Sequence, residues 1–184
     1  MLQYLPNLLT FSRLLLALPL GLLILGQQYE LALGIGLLAG VTDALDGFAA
    51  RRLQAFSRFG AAMDPVADKI LITVCLLSFA QVGLIPWSVA LVIVGRDLVI
   101  VSGALCYHWL IGPFDFAPTW LSKGNMFVQI CFCVLVLAAQ VVPGIPGETV
   151  TAATVAALFI AVASGVDYVL SWSAKAINSR DQQP

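Results

Sequence analysis

The stretch DALDGFAARRLQAFSRFGAAMDPVAD, residues 43–68, decides how this chain folds. It joins two long apolar runs and holds four of the chain's 10 acidic residues: Asp43, Asp46, Asp64 and Asp68. A carboxylate inside the apolar part of a membrane costs several kcal/mol unless it has a partner, so such a residue indicates a functional site. Four carboxylates in one stretch indicate bound cations.

The spacing inside this stretch predicts two helices, each with its special residues on one face. The first helix carries five of them, at i, i+3, i+4, i+7 and i+8: Asp43, Asp46, Gly47, Ala50 and Arg51. The second carries three, at i, i+4 and i+8: Gly60, Asp64 and Asp68. If the helices are antiparallel, a rise of about 1.5 Å per residue puts Asp43 and Asp68, the first and last aspartates of the motif, roughly 12 to 14 Å below the same membrane surface. We therefore expect the carboxylates to meet at one level.

These eight positions fit the pattern D-x2-D-G-x2-A-R-x8-G-x3-D-x3-D without a departure. The pattern resembles the signature of the CDP-alcohol phosphatidyltransferase family. From average residue usage, the probability that all eight positions match by chance, counted from any one starting residue, is on the order of one in 10^9. A pair of buried acidic helices without chemistry is disfavoured because uncompensated burial of charge is so costly.

The composition predicts a membrane protein with several spans. Of the 184 residues, 60% are apolar and 10% charged, whereas a soluble domain carries about 25% charged residues. The net charge of −1 says little about partners, and we expect no nucleic-acid partner.

Six apolar segments are long enough to cross a hydrocarbon core of about 30 Å, which takes roughly 20 residues. They are residues 8–26, 31–52, 60–82, 86–107, 120–141 and 149–172. We therefore predict an all-α integral membrane protein with six transmembrane helices in one bundle. Residues 1–178 would form the single domain and residues 179–184 a polar tail.

Basic residues predict the orientation, because positive charge is enriched on the cytoplasmic side. The side expected to be cytoplasmic holds Arg51, Arg52, Arg58, Lys123, Lys175 and Arg180. The opposite loops hold Glu30 and Glu148 and no Lys or Arg. We predict an inner (cytoplasmic) membrane protein with both termini in the cytoplasm and a site that opens to that side.

A polar stripe precedes the motif in the first helix, where Asn7, Thr10 and Arg13 recur at i, i+3 and i+6. Facing the bundle interior, these side chains could donate to a nucleotide or its phosphates. The alternative is an interfacial cap, with Asn7 starting the helix and Arg13 extending its charge to the surface. In the resembled family PNLLTFSR is the usual opening, which favours the site.

Two further polar groups interrupt the apolar segments. Arg96 and Asp97 are adjacent, so their side chains point about 100° apart. Either Arg96 reaches the carboxylates or an anionic headgroup, or both residues are satisfied by neighbouring helices. Lys123 and Asn125 lie near the cytoplasmic surface, where the lysine could bind a lipid phosphate or simply reach the interface.

The ligand chemistry favours hard cations. The motif offers carboxylate oxygens and neither His nor Cys, which suits Mg²⁺ or Mn²⁺. Two divalent cations held by shared aspartates can clamp a pyrophosphate and activate a leaving phosphate. Gly47 and Gly60 would let a nucleotide approach the backbone, and Arg51 supplies a donor fork for phosphate.

The resemblance implies the substrate and the residue roles. In such proteins a CDP-linked lipid, CDP-diacylglycerol, binds between the motif helices, an acceptor hydroxyl attacks the phosphorus attached to diacylglycerol, and CMP leaves. It implies that Asp43, Asp46 and Asp64 hold the metals and that Asp68 is both a metal ligand and the general base. The implied CDP pocket consists of Gly47, Ala50, Arg51, Ser57 and Gly60. The resemblance also implies a homodimer.

Outside the motif, the chain is most similar to the CMP-forming cardiolipin synthases of this family. That similarity implies phosphatidylglycerol as the acceptor, with glycerol 3-phosphate as the alternative. Gly124 and Met126 depart from the Val and Thr more usual around Asn125. Arg13, Arg96, Lys123 and Asn125 are the candidates for the acceptor or lipid phosphate.

An alternative from another class is a divalent-cation or proton transporter, since transporters also place carboxylates inside the membrane. It is disfavoured because all four aspartates lie near one side of the predicted membrane, with no matching polar path through the outer halves of the two helices. Glycines and an arginine at fixed offsets would also have no role in a cation path.

Overall fold

Six α-helices make up the secondary structure in the described part of this computed structural model. The backbone is described for residues 5–53, 58–111 and 120–180, and side chains within these ranges for residues 14–41, 66–103, 121–122 and 124–170. The helices are α1 (Leu5–Leu25), α2 (Tyr29–Leu53), α3 (Arg58–Gln81), α4 (Trp87–Ile111), α5 (Trp120–Val141) and α6 (Gly147–Arg180). The prediction of an all-α fold is confirmed for the described residues.

The predicted segments match these helices within four residues at every end except the last. Helix α6 continues to Arg180, eight residues beyond its predicted end at Trp172. It therefore runs through the first two residues of the predicted polar tail, Ser179 and Arg180. The division of the chain at residue 178 stays a prediction.

Helices α1 and α3 end in the same hydrogen-bonded turn. After α1, Gln28 N donates to the Leu23 carbonyl at 2.9 Å, and Gln27 N donates to the Ile24 carbonyl at 3.0 Å. This is the Schellman pattern, which requires a residue with positive φ. Gln27 supplies it at φ 57, while Gly83 has φ 78 after α3. The short turns keep consecutive helices close together.

The core lies where α1, α3, α4, α5 and α6 meet. Its largest fully buried side chains include Ile24, Leu76, Phe79, Ile93 and Phe132. Helix α1 packs on α2 and α3, α5 packs on α2, α3 and α6, and α4 packs on α3 and α6. Both α1 and α5 therefore contact each of the two helices that carry the aspartate motif.

Large apolar side chains cover much of the described surface. Leu18 is 69% exposed and Phe159 is 73% exposed. Two described segments are long and apolar enough to cross a membrane, Gly124–Val141 and Gly147–Leu170, and the described apolar parts of α1 and α2 are shorter. Only 17% of the Gly147–Leu170 window is buried, which does not fit the core helix of a soluble protein. These features are those of a helical membrane protein.

Candidate active site

The aspartate motif lies on two consecutive helices, as its spacing predicts. The second half of α2 carries Asp43, Asp46, Gly47, Ala50 and Arg51, and the first half of α3 carries Gly60, Asp64 and Asp68. Because both segments are helical, the five residues of α2, at i, i+3, i+4, i+7 and i+8, fall on one face, and so do the three residues of α3, at i, i+4 and i+8.

The first and last aspartates of the motif are equally far from the helix ends that the motif connects, the end of α2 and the start of α3. Asp43 lies ten residues before the last residue of α2, and Asp68 lies ten residues after the first residue of α3. At about 1.5 Å per residue, each is roughly 15 Å from its helix end. Whether the carboxylates meet stays a prediction, because the side chains of Asp43, Asp46 and Asp64 lie outside the described residues. The side chain of Asp68 is described and is partly buried.

Several other predicted site residues also lie outside the described set. Ser57 belongs to the undescribed segment between α2 and α3. Asn7, Thr10 and Arg13 lie on α1 and Lys123 on α5, and their side chains are not described. Their helices are informative, because α1 and α5 both contact α2 and α3. Candidates on α1 and α5 are therefore carried by helices that contact both motif helices.

A buried ion-pair cluster links the second motif helix to α4. Lys69 Nζ lies 2.7 Å from Asp97 Oδ1, and Arg96 Nη1 donates to the same oxygen at 2.5 Å. Asp97 is 6% exposed and Arg96 is 9% exposed. A carboxylate this buried requires partners, and here it has two cations. Lys69 directly follows Asp68, so this cluster anchors α3 beside the predicted base.

The other side of the Arg96 guanidinium reaches two more helices. Nη2 donates to the hydroxyl oxygen of Ser164 on α6 and, at 3.4 Å, to that of Ser122 on α5. Ser164 is fully buried. We call Lys69, Arg96, Asp97, Ser122 and Ser164 the cationic cluster. It joins α3, α4, α5 and α6 at one point inside the bundle.

The structure shows the contacts of the charged pair in α4 with its neighbouring helices. Asp97 pairs with α3 while Arg96 bonds to α5 and α6, and Arg96 Nε is left buried without a hydrogen-bond partner among the described residues. Because the side chains of Arg96 and Asp97 leave the helix about 100° apart, they contact different neighbouring helices. In addition, the long arginine side chain reaches back to its sequence neighbour. A contact between Arg96 and an acceptor stays a proposal.

Two buried amides lie next to this cluster on α5. Ser122, Asn125 and Gln129 recur at i, i+3 and i+7, which is one face of the helix. Asn125 is 1% exposed and Gln129 is 2% exposed. Asn125 Oδ1 and Gln129 Nε2 are buried without a hydrogen-bond partner among the described residues. Buried polar atoms nearly always form hydrogen bonds. An unpartnered acceptor and an unpartnered donor on one helix face therefore indicate that a polar group binds between the helices.

Sequence reasoning missed part of this arrangement. Gln129 could have been found, because it lies four residues after Asn125 on the same face. Ser164 carries no signal in the sequence, since a serine in an apolar helix most often bonds to its own backbone. Its role depends on α4 lying beside α6. Residues Arg96 and Ser164, and then Ile100 and Tyr168, contact each other, so α4 and α6 run parallel.

Comparison with known proteins extends this picture beyond the described side chains. The family model for CDP-alcohol phosphatidyltransferase matches residues 3–170. The chain is 38% identical over 152 residues to a cardiolipin synthase (CMP-forming) of Rattus norvegicus and to one of Homo sapiens, which covers 74% of this chain and 50% of each relative. It is 33% identical over 141 residues to a CDP-diacylglycerol–glycerol-3-phosphate 3-phosphatidyltransferase of Pseudomonas fluorescens, covering 71% of this chain and 70% of that relative.

The chain spans about half the length of the cardiolipin synthases that it matches. The matched region contains both motif helices, the cationic cluster and the amides of α5. The match covers most of the chain and includes all eight positions of the signature. This chain therefore belongs to the CDP-alcohol phosphatidyltransferase family.

Proposed function

We propose that this protein transfers the phosphatidyl group of CDP-diacylglycerol to a hydroxyl of phosphatidylglycerol, giving cardiolipin and CMP. The observation that carries the proposal is the complete eight-position signature on α2 and α3. The two mammalian relatives support the acceptor, since both are named as CMP-forming cardiolipin synthases. Arg13, Arg96, Lys123 and Asn125 are the proposed contacts of the acceptor or lipid phosphate.

The donor set fits two divalent cations, Mg²⁺ or Mn²⁺. Four aspartates on two consecutive helices supply oxygen ligands of the kind that these hard ions prefer. Asp43, Asp46, Asp64 and Asp68 would hold them. When bound, the ions would neutralise the pyrophosphate and stabilise the leaving phosphate.

The residues of the chain would bind and orient the two substrates. Gly47, Ala50, Ser57 and Gly60 would form the CDP pocket, and Arg51 would donate to its phosphates with a fixed fork. Asn7 and Thr10 of α1 would add donors to the nucleotide. These roles are supported by α1 contacting both motif helices.

The proposed transfer needs one proton acceptor. Asp68 takes the proton from the acceptor hydroxyl, whose oxygen forms a bond to the phosphorus attached to diacylglycerol. The bond from that phosphorus to the bridging oxygen breaks, and CMP leaves with the electron pair. The buried Asn125 Oδ1, which has no partner, is suited to receive a hydrogen bond from the acceptor's headgroup.

Glycerol 3-phosphate is the second candidate acceptor, and the Pseudomonas fluorescens relative favours it by name. The decisive assay supplies CDP-diacylglycerol with each acceptor separately and identifies the lipid product by mass spectrometry. We expect cardiolipin from phosphatidylglycerol. Product from glycerol 3-phosphate and none from phosphatidylglycerol would overturn the acceptor and leave the transferase in place.

We also propose the arrangement in the membrane. All six helices span it, both termini are cytoplasmic, and the protein resides in the inner membrane as a homodimer. The exposed apolar surface supports the membrane location, and a second copy would cover part of it. Native mass spectrometry in mild detergent should detect the dimer, and a monomer alone would contradict it.

A further inference from the structure

An apolar groove of about 360 Å³ runs along the outer surface between α4 and α6. Aliphatic side chains line it from both helices, among them Val92, Val99, Val166 and Val169, and Arg96 is the only charged residue among the described side chains that line it. A methylene group takes up about as much space as a water molecule in the liquid, about 30 Å³, so the groove holds about a dozen methylenes. That is room for the greater part of one acyl chain.

A glycine opens the groove toward its basic residue. A Cβ atom on Gly165 would lie 3.2 Å from Arg96 Cγ, closer than ordinary contact. The alkyl arm of Arg96 therefore lies against the backbone of α6, while its guanidinium bonds inward to Asp97 and Ser164. The groove has an aliphatic wall with a cation directly behind it.

The charge behind the wall favours an anionic occupant. The cationic cluster contains two cations, Lys69 and Arg96, and one carboxylate, Asp97. An acyl chain gains little by moving from the bilayer into an apolar groove, because lipid tails are as apolar as the groove. Selectivity must then come from the headgroup, and a net positive cluster attracts a phosphodiester more strongly than a zwitterionic headgroup.

From this groove, its glycine and the cluster behind it, we infer that the space between α4 and α6 binds one acyl chain of an anionic phospholipid, the phosphatidylglycerol acceptor. The inference rests on the proposed function, because it assigns the groove to the acceptor of that reaction. Arg96, which lines the groove, shares Asp97 with Lys69 of α3, and Lys69 directly follows Asp68 in the chain.

Two matched variants test the groove. Val166 lines it and is 53% exposed, whereas Val155, on the same helix and 61% exposed, does not line it. Val166→Trp should fill the groove, and Val155→Trp is the control. Val162→Trp, which also alters a lining residue, repeats the test from one turn away.

The direct measurement is photolabelling of the full chain in lipid nanodiscs by phosphatidylglycerol with a diazirine in one acyl chain. Peptide mapping should place the label on α4 and α6 beside the groove, and unlabelled phosphatidylglycerol should compete better than phosphatidylcholine. Val166→Trp should lower the labelling about tenfold, with Val155→Trp unchanged. Equal competition by phosphatidylcholine would assign the groove to bulk lipid, and cross-links between two copies of α6 would assign it to a second chain. Either result would overturn the inference.

A kinetic measurement separates this inference from the proposed function. Val166→Trp should raise KM for long-chain phosphatidylglycerol with little change in kcat, and should not affect glycerophosphoglycerol, which has the headgroup and no chains. Cardiolipin synthesis with labelling outside the groove would refute the groove and leave the function. Selective labelling of the groove without cardiolipin synthesis would refute the acceptor and leave the lipid site.

Discussion

Asp97 holds two cations in place inside the bundle. Its Oδ1 accepts from Arg96 and lies 2.7 Å from Lys69 Nζ. A buried ion pair gives little net stability compared with an apolar replacement, but removing one partner leaves an uncompensated charge. The geometry of the cluster therefore depends on this single carboxylate.

Asp97→Asn should destabilise the protein strongly, because it leaves Arg96 and Lys69 without their counter-charge. We expect a loss of about 3 to 5 kcal/mol, which corresponds to a fall in Tm of roughly 10 °C for a chain of this size. Thermal unfolding in detergent measures it. Glu148→Gln is the control, since Glu148 is exposed. Equal Tm values for the two variants would show that the cluster contributes nothing to stability.

Asp68→Asn should abolish turnover while CDP-diacylglycerol still binds, because the amide cannot accept the acceptor's proton. Removal of a general base lowers the rate by about 10² to 10⁴. Its role as a metal ligand should add some loss of metal affinity. Product formation and CDP-lipid binding are measured separately.

A suitable control is Asp167→Asn, a partly buried carboxylate on α6, which should retain activity. Asp43→Asn should instead weaken metal and nucleotide binding together. Near-normal turnover in Asp68→Asn would remove this residue from the mechanism.

Helix α1 supports the motif through its close approach to α3. A Cβ atom on Gly21 would lie 2.7 Å from Val74 Cγ1 and 3.4 Å from Ser78 Oγ. A valine side chain in a helix has one strongly preferred rotamer and cannot turn away easily. The glycine is therefore required by packing between the two helices.

Gly21→Ala should destabilise the protein by about 1 to 3 kcal/mol, the usual cost of overpacking. Gly34→Ala on α2 is the matched control, because a Cβ there meets nothing within 4 Å. That variant should be neutral or more stable by up to about 1 kcal/mol, since alanine favours the helix. Thermal unfolding of both variants measures the difference. Equal stability would mean that α1 and α3 can separate without cost.

The helices could be predicted from the sequence because their signals are local. Apolar length and the breaks at Gly83 and Gly144 gave ends accurate to a few residues. The end of α6 could not be predicted, because its last turns continue into the polar sequence SAKAINSR. The end of the apolar sequence predicts where a membrane span ends, but a helix can continue into the polar residues that follow.

In the candidate site too, features with a local sequence signal could be predicted, and features that depend on helix packing could not. The aspartates and glycines of the motif follow from fixed spacing along one chain segment. The bonds from Arg96 to Ser164 and Ser122 depend on which helices are neighbours, and no spacing within α4 encodes that. The unpartnered atoms of Asn125 and Gln129 depend on burial for the same reason.

At the scale of the whole molecule, one helical bundle combines an apolar exterior with a charged interior. Leucine, valine and phenylalanine cover the outside, and the cationic cluster joins four helices within. This distribution suits the proposed reaction, in which donor and acceptor are both lipids. In the proposed reaction, both lipids would reach the motif helices from the bilayer without crossing water.

The most direct test follows the phosphorus. CDP-diacylglycerol with radioactive phosphorus on the atom attached to diacylglycerol is supplied to the purified protein with phosphatidylglycerol and Mg²⁺ or Mn²⁺. The label should appear in cardiolipin, with one CMP released for each cardiolipin formed, and chelation should stop both until the ion is restored. Label in a water-soluble product, or CMP release that continues under chelation, would contradict metal-dependent phosphatidyl transfer.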